Sequence, residues 1–278
     1  MNKLKVCVVG AGTMGRGIAQ VFAEAEWDVL LIDKSKEQLM AAFQVIRKYL
    51  SYSYDNAEIE QIIARISTNE QIDRQISEYP LIVEAVPENL DLKKRIFSEI
   101  EPLVPADTIL ATNTSQISVT SIASACENAE RFIGMHFSNP PHRMELVEII
   151  RGLKTDEKTV EYIVDITKQI RKKPYVVNDV QGFVVSRIAA AVISEGIKIL
   201  EEGVCDKETL DGIVKTGLHH PMGPLELVDH IGLDVFLMLS SGMFEAYGDR
   251  FRISRTLKQY VEAGMLGKKT GEGFYKYS

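Results

Sequence analysis

Cysteine is scarce and scattered. Cys7, Cys126 and Cys205 are odd in number, far apart and without metal-ligand spacing, which argues against a disulfide framework and against a zinc site. Reduced thiols in a cytoplasmic protein are the expectation. Basic residues are the minority charge, 32 Lys and Arg against 39 Asp and Glu, for a net of −7. An acidic chain is repelled by nucleic acid and by anionic membranes, so neither is expected as a general partner. Long apolar runs are missing as well. The stretch Phe183 to Leu200 is broken by Arg187, Glu195 and Lys198, which argues against a membrane span. The opening MNKLKVCVVGAG turns into glycines after about four apolar residues and reads as a first strand, not a signal peptide. The sequence shows no repeat and no low-complexity segment.

What is present is ordinary globular material. A chain of 278 residues, 45% apolar, can bury a full core as one large or two modest domains. Apolar, β-branched runs at Lys5–Val9, Val29–Asp33, Leu81–Val86, Thr108–Thr112, Phe132–Phe137, Leu146–Ile150 and Tyr175–Asn178 predict strands. Helical spacing lies between them, at Thr13–Glu26, Leu92–Ile100, Val119–Ala125 and Glu157–Ile170. Two further helices, Glu37–Tyr49 and Ala57–Ile66, read as an insertion, about 36–66, before the strand at Leu81. This alternation predicts an α/β, Rossmann-type doubly wound sheet over residues 1–181, with ligands at the strand carboxyl ends. From Gly182 onward the strand signal fades, and an all-α domain is expected over 182–278. The helix predicted at 183–202 is apolar on more than one face, so burial on several sides is expected, within its domain or against a second subunit.

Gly10-Ala11-Gly12-Thr13-Met14-Gly15 matches GxGxxG, follows a strand, opens a helix and precedes Asp33 by eighteen residues (33 − 15). Gly10 permits the tight turn, Gly12 lets a pyrophosphate approach the backbone, and Gly15 allows close helix packing. Helix N-terminal amides favour the phosphates. Asp33 is expected to accept from both ribose hydroxyls and to repel a 2′-phosphate. NAD is therefore expected over NADP, a preference softened by Lys34 and Lys36.

Further polar groups fall at predicted strand ends: Glu84 and Glu88, Asn113-Thr114-Ser115, and His136 with Asn139. Oxidation of an alcohol needs a base for the hydroxyl proton, and neutral imidazole suits that task near neutral pH. Glu148 is placed to accept the other ring N–H, fixing the tautomer and stabilising imidazolium. A solvated strand glutamate is the competing reading of Glu148, and a structural strand-end residue that of His136.

Seven stretches in the same order, GAGTMGRGIAQVFA, VEAVPENLDLKKRIF, ILATNTSQI, GMHFSNPPHRMELVEII, GFVVSRI, HHPMGPLELVDHIGLD and AGMLGKKTGEGFYKY, resemble the short-chain (S)-3-hydroxyacyl-CoA dehydrogenase family, which includes 3-hydroxybutyryl-CoA dehydrogenases. The resemblance runs from about residue 4 to the C-terminus. It implies NAD in an N-terminal Rossmann domain and a helical domain that dimerises and helps close the substrate cleft. It makes His136 the base and Glu148 its partner. Ser115 matches a serine near the substrate oxygen and nicotinamide, and Asn139 an asparagine that positions histidine and cofactor. Glu88, Lys93 and Asn113 match cofactor-side positions, and Lys269 is implied to reach the same site. The reaction implied is reversible hydride transfer between the C3 hydroxyl of an acyl thioester and NAD, with no metal. His219 and His220 match a structural turn.

The chain also departs from the family. Ser186 stands where an asparagine is expected to bond the reacting substrate, so a neutral swap and an altered pocket both stay open. The tip between the inserted helices, Tyr49 to Asn56, is rich in tyrosine and lacks the lysines that family members often use for the nucleotide of coenzyme A. Arg47 and Lys48 precede it. Ser138 replaces a larger residue beside the base, Pro141-His142 alters the following turn, and Gln181 replaces a proline. The expected substrate is a short 3-hydroxyacyl thioester on coenzyme A. Alternatives are an acyl-carrier-protein thioester, such as a glyceryl group bound for hydroxymalonyl or methoxymalonyl extender units, a free hydroxy acid, or a nonenzymatic NAD-binding structural or sensor role.

Overall fold

The computed structural model describes residues 4–277; Met1–Lys3 and Ser278, which the expected domain limits include, lie outside the described residues. The chain divides into two compact units between Val180 and Gln181.

The first unit contains strands β1 (Lys5–Val9), β2 (Asp28–Ile32), β3 (Ile66–Asn69), β4 (Leu81–Glu84), β5 (Ile109–Thr112), β6 (Phe132–Phe137), β7 (Leu146–Arg151) and β8 (Lys173–Asn178). Helices α1 (Thr13–Glu24), α2 (Lys36–Leu50), α3 (Asn56–Ile63), α4 (Leu90–Ile100), α5 (Val119–Ala123) and α6 (Glu157–Gln169) alternate with them. The strands form one sheet in the order β3-β2-β1-β4-β5-β6-β7-β8. All neighbours run parallel except β6 and β7. Strands β4, β5 and β6 are buried at every residue, as expected when helices cover both faces of a parallel sheet. Strand order reverses at β1, between β2 and β4, so a crevice opens beside the carboxyl end of β1.

The helical pair is not an insertion. It is the crossover between β2 and β3, and β3 pairs in parallel with β2 from Val29↔Ile66 to Ile32↔Asn69. The sequence Ile66-Ser67-Thr68-Asn69 has one apolar residue, and Ser67 and Thr68 are exposed. An edge strand with so little to bury has no apolar signature. Helix α2 starts where Ser35 accepts from the Gln38 amide, and α3 where Asp55 and Glu58 form a capping box. Ile46, Leu50, Ile59 and Ile62 turn into the core beside Trp27 and Phe22.

The second unit holds α7 (Val185–Glu201), α8 (Lys207–Gly217), α9 (Pro224–Ile231), α10 (Leu233–Tyr247) and α11 (Arg255–Glu262). Ala190, Ile193 and Ile197 of α7 pack with Leu225, Val228, Phe236 and Met243. Within its own unit α7 is not buried on every side, since Val185 and Ile188 are 39% and 61% exposed, which leaves the second-subunit alternative standing. Two buried aspartates tie the unit together. Asp211 accepts from the Leu225 and Glu226 amides at 3.0 and 2.8 Å, capping α9. Asp229 accepts from the Phe274 and Tyr275 amides at 2.9 and 2.8 Å and from the Tyr277 hydroxyl at 3.0 Å, holding the C-terminal tail. Among the described residues no single helix is long and apolar enough to cross a membrane.

Candidate active site

The glycine loop leaves β1 and opens α1 at the strand-order reversal. Gly10 has φ +106°, and a Cβ there would lie 2.7 Å from the Ala85 carbonyl oxygen. A Cβ on Gly15 would lie 1.7 Å from the Gly10 carbonyl oxygen, so the first turn of α1 closes directly on the loop. Around Gly12 a Cβ would meet nothing within 4 Å, and no side chain caps α1. Ala11 is buried, Met14 half-buried and Thr13 exposed. Amides left for a ligand and open space above Gly12 suit a dinucleotide pyrophosphate. Asp33 is preset by the same loop, with Oδ2 accepting from the Ala11 amide at 2.8 Å and Oδ1 from the Ser35 amide at 2.9 Å. Each oxygen retains capacity for a second donor, as a ribose diol requires.

Backbone bonds beyond the strands stitch the carboxyl edge from β2 to β5. The Gly10 amide donates to Ile32 O at 2.7 Å, Ala85 to Val9 O at 2.8 Å and Asn113 to Glu84 O at 2.8 Å. Beneath the edge lies a buried ion pair that the sequence reading did not assemble. Lys93 Nζ, expected on the cofactor side, bonds Glu84 Oε1 and Oε2 at 2.7 and 3.0 Å, and its side chain is 1% exposed. It also pairs with Glu88 Oε2 at 3.3 Å. The structure thus shows Lys93 supporting Glu88 from inside, not offering an exposed ammonium. Burial raises the Glu84 pKa, opposed by Lys93, Thr112 Oγ1 at 2.6 Å and the Val86 amide. With donors converging on both oxygens, this geometry suits the carboxylate.

Glu88 Oε1 collects the turn after β5, accepting from Thr114 Oγ1 at 2.5 Å and from the Ser115 and Gln116 amides at 2.9 and 3.1 Å. Burial would raise its pKa, but Lys93, Thr114 and these amides outweigh burial and hold it below the ordinary carboxylate value. The consequence is a fixed, exposed Ser115 at the sheet edge.

His136 lies inside β6 and Glu148 inside β7, where they are direct cross-strand partners. His136 Nδ1 and Glu148 Oε2 are 2.9 Å apart, with side chains 10% and 2% exposed. Such burial disfavours the solvated reading of Glu148. Asn113 Oδ1 accepts from the Phe137 amide at 2.9 Å, so this residue anchors the strand that carries the imidazole. Asn139 follows, exposed, and joins Pro140 through a cis peptide bond. Pro141 packs on Gly17 of α1, where a Cβ would lie 2.8 Å from its Cδ. The connection between the loop after β6 and helix α1 therefore rests on a glycine outside the GxGxxG match.

The tyrosine-rich tip divides its roles. Tyr49 stacks on His142 with ring centroids 4.1 Å apart, Tyr54 packs against the core, and Tyr52 is 65% exposed. Arg47 is committed to Glu60. In the second unit, Ser186 sits half-buried in the first turn of α7, and Lys269 Nζ bonds Asp234 at 2.5 and 2.7 Å. Among the described residues no three His, Cys, Asp or Glu side chains converge as a metal site would require.

Comparison with known proteins gives a consistent match. The model for the NAD binding domain of 3-hydroxyacyl-CoA dehydrogenase matches residues 5–180, and that for its C-terminal domain residues 182–277. The chain is 40% identical to a probable 3-hydroxybutyryl-CoA dehydrogenase of Deinococcus radiodurans, over 99% of this chain and 100% of that protein. It is 36% identical to the human mitochondrial hydroxyacyl-coenzyme A dehydrogenase, over 98% of this chain and 90% of that protein. The crystal structure of (S)-3-hydroxybutyryl-CoA dehydrogenase from Ralstonia eutropha aligns with a TM-score of 0.94 at 37% identity, covering 100% of both chains.

Proposed function

The chain belongs to the 3-hydroxyacyl-CoA dehydrogenase family, and from that premise we propose that it interconverts a short (S)-3-hydroxyacyl-CoA, with 3-hydroxybutyryl-CoA as the first candidate, and the corresponding 3-oxoacyl-CoA. It is an NAD-dependent oxidoreductase of that family. The observation that carries the reading is the buried 2.9 Å bond between His136 Nδ1 and Glu148 Oε2 at the end of a cofactor-binding sheet. NAD+ held at the Gly10–Gly15 loop and Asp33 would supply the acceptor for the hydride that leaves C3 with both electrons of the broken C–H bond. His136 Nε2 takes the hydroxyl proton as the C3 carbonyl forms, and in the reverse direction returns it. Glu148 fixes the ring and stabilises its charged form. Ser115 and Asn139 orient the C3 oxygen and the cofactor; Asn113 and Glu88 hold the segments they stand on. Ser186 and Lys269 are assigned to substrate and cofactor by family position.

A carrier-protein thioester is a second reading, favoured by the tip of α2. Its tyrosines carry no charge and Arg47 is paired with Glu60, which leaves Lys48 at the end of α2 as the cation a nucleotide phosphate would meet there. The second unit also presents the apolar side chains Ile188, Met238 and Phe244 at 61%, 45% and 41% exposure, which a second copy of the chain would cover. We accordingly propose a homodimer, and a cytoplasmic one given its free thiols. The deciding experiment follows NADH absorbance while 3-hydroxybutyryl-CoA, acetoacetyl-CoA and matched carrier-protein thioesters are offered. Turnover of the CoA substrates is expected. Turnover confined to carrier thioesters transfers the assignment to the second reading, and inertness toward both removes the proposal. Light scattering tests the dimer, which a monomer mass would refute.

A further inference from the structure

The turn between the base and its partner is held from outside by a residue that no family motif singles out. Residues 138–145 connect β6, which carries His136, to β7, which carries Glu148, and include Asn139. Within the turn the Arg143 and Met144 amides both donate to Pro140 O, at 3.0 and 3.1 Å. That leaves the Pro141 and Met144 carbonyls to be satisfied from elsewhere. Lys172 supplies both bonds, with Nζ 2.7 Å from Pro141 O and 2.9 Å from Met144 O. Lys172 is itself placed by α6 and β8: its amide donates to Thr167 O at 3.0 Å, and the next residue's amide donates to Glu145 O at 2.7 Å. The same turn is pressed on its other side, with Pro141 against Gly17 of α1 and the His142 ring against Tyr49 of α2. An ammonium bonding two carbonyls three residues apart fixes the turn as one body, and charge-assisted bonds of this kind outlast neutral ones.

We propose that Lys172 is a positioning residue for the dehydrogenase reaction, acting through the turn at Pro140–Met144 to hold Asn139 and the end of β6 against the helix that binds the cofactor. The assignment rests on the proposed reaction for its catalytic consequence, not for its structural one. Its neighbours show the contrast. Lys173 is exposed and pairs with Glu145, and Arg171 is exposed. The basic run Arg171-Lys172-Lys173 therefore contains one residue with a carbonyl-binding task.

The test compares Lys172→Met, Lys172→Arg and Lys173→Met in the full-length protein. Hydrogen exchange at the Arg143 and Met144 amides is expected to quicken in Lys172→Met, and to stay at the wild-type rate in the other two. In Lys172→Met, kcat is expected to fall about tenfold to a hundredfold, the scale of a small misplacement of reacting groups. NAD affinity and melting temperature should stay near wild type, and Lys172→Arg should restore most of kcat. Unchanged exchange in Lys172→Met overturns the proposal. So does unchanged kcat in an active enzyme, a parallel loss of NAD affinity and melting temperature, or an equal effect of Lys173→Met. If the wild type turns over no offered thioester, the reaction assignment fails by itself, and the exchange rates still decide whether Lys172 holds the turn.

Discussion

Both units bury carboxylates, but they give them different partners. In the sheet unit Glu148 faces an imidazole and Glu84 an ammonium, and both lie at the carboxyl edge where a parallel sheet receives ligands. In the helical unit Asp211 and Asp229 accept from backbone amides and tyrosine hydroxyls, with no cation bonded to either among the described residues. Burial alone therefore does not assign a carboxylate a part in the proposed reaction. The partner decides: an amide has no titratable proton to exchange near neutral pH, whereas an imidazole has one, and its charge can change within a turnover.

Breaking the imidazole pair should produce the largest effect. His136→Ala is expected to lower kcat by about a hundredfold or more, the usual contribution of a general base, while NAD still binds. Glu148→Gln should also slow turnover, because a neutral amide does not stabilise imidazolium as a carboxylate does. Stopped-flow turnover with parallel NAD titration separates the outcomes. Undiminished kcat in His136→Ala would remove this pair from the chemistry and make it the same kind of feature as Asp229.

The helical unit should respond in stability. Asp229→Ala strands the buried Phe274 amide and removes the acceptor of the half-buried Tyr275 amide and Tyr277 hydroxyl, and at roughly 1–3 kcal/mol for each unsatisfied group a loss of about 3 kcal/mol or more is expected. Denaturant unfolding followed by circular dichroism measures it. A loss near zero would mean that the tail is held by Phe274 and Tyr260, stacked with ring centroids 4.7 Å apart, and not by the acid.

How far these features could be read in the sequence follows from what each residue needed in order to be recognised. The central strands were legible because both faces are buried and the runs are apolar, as in Val6–Val9 and Leu81–Val83. Strand β3 was not, because an edge strand reading Ile-Ser-Thr-Asn buries almost nothing. Its omission turned a crossover into an apparent insertion. The glycine loop and the His136, Glu148 set stood out through motif and spacing. The Glu84–Lys93 pair did not, since nine residues, a turn and most of a helical turn separate its members. Asp211, Asp229 and Lys172 look like solvated helix or loop charges until distant backbone comes to meet them.

The smallest expected effect sharpens the comparison through pH. Glu88 and Asp229 have opposite shifts. In Glu88 burial acts upward but is outweighed by Lys93, Thr114 and the turn amides, so the folded pKa is depressed below 4.5. In Asp229 burial dominates over the bonds from Tyr275, Phe274 and Tyr277, so the folded pKa is raised above 3.8. A depressed carboxyl contributes stability that is present above its unfolded pKa and lost as pH falls through the folded value. A raised one contributes stability that is present below its unfolded pKa and lost as pH rises through the folded value. Subtracting the unfolding free energy of Glu88→Gln from that of wild type should therefore give a difference that shrinks on acidification through the carboxylate range. The same subtraction for Asp229→Asn should grow. Trp27, the single tryptophan, is buried in the sheet unit, so its fluorescence reports the Glu88 series where that acid acts, and circular dichroism covers the Asp229 series. Two slopes of the same sign would mean that cation proximity does not distinguish the acids of the two units. Opposite slopes are the expected outcome, since Lys93, Thr114 and the turn amides hold Glu88 down, whereas among the described residues no cation is bonded to Asp229.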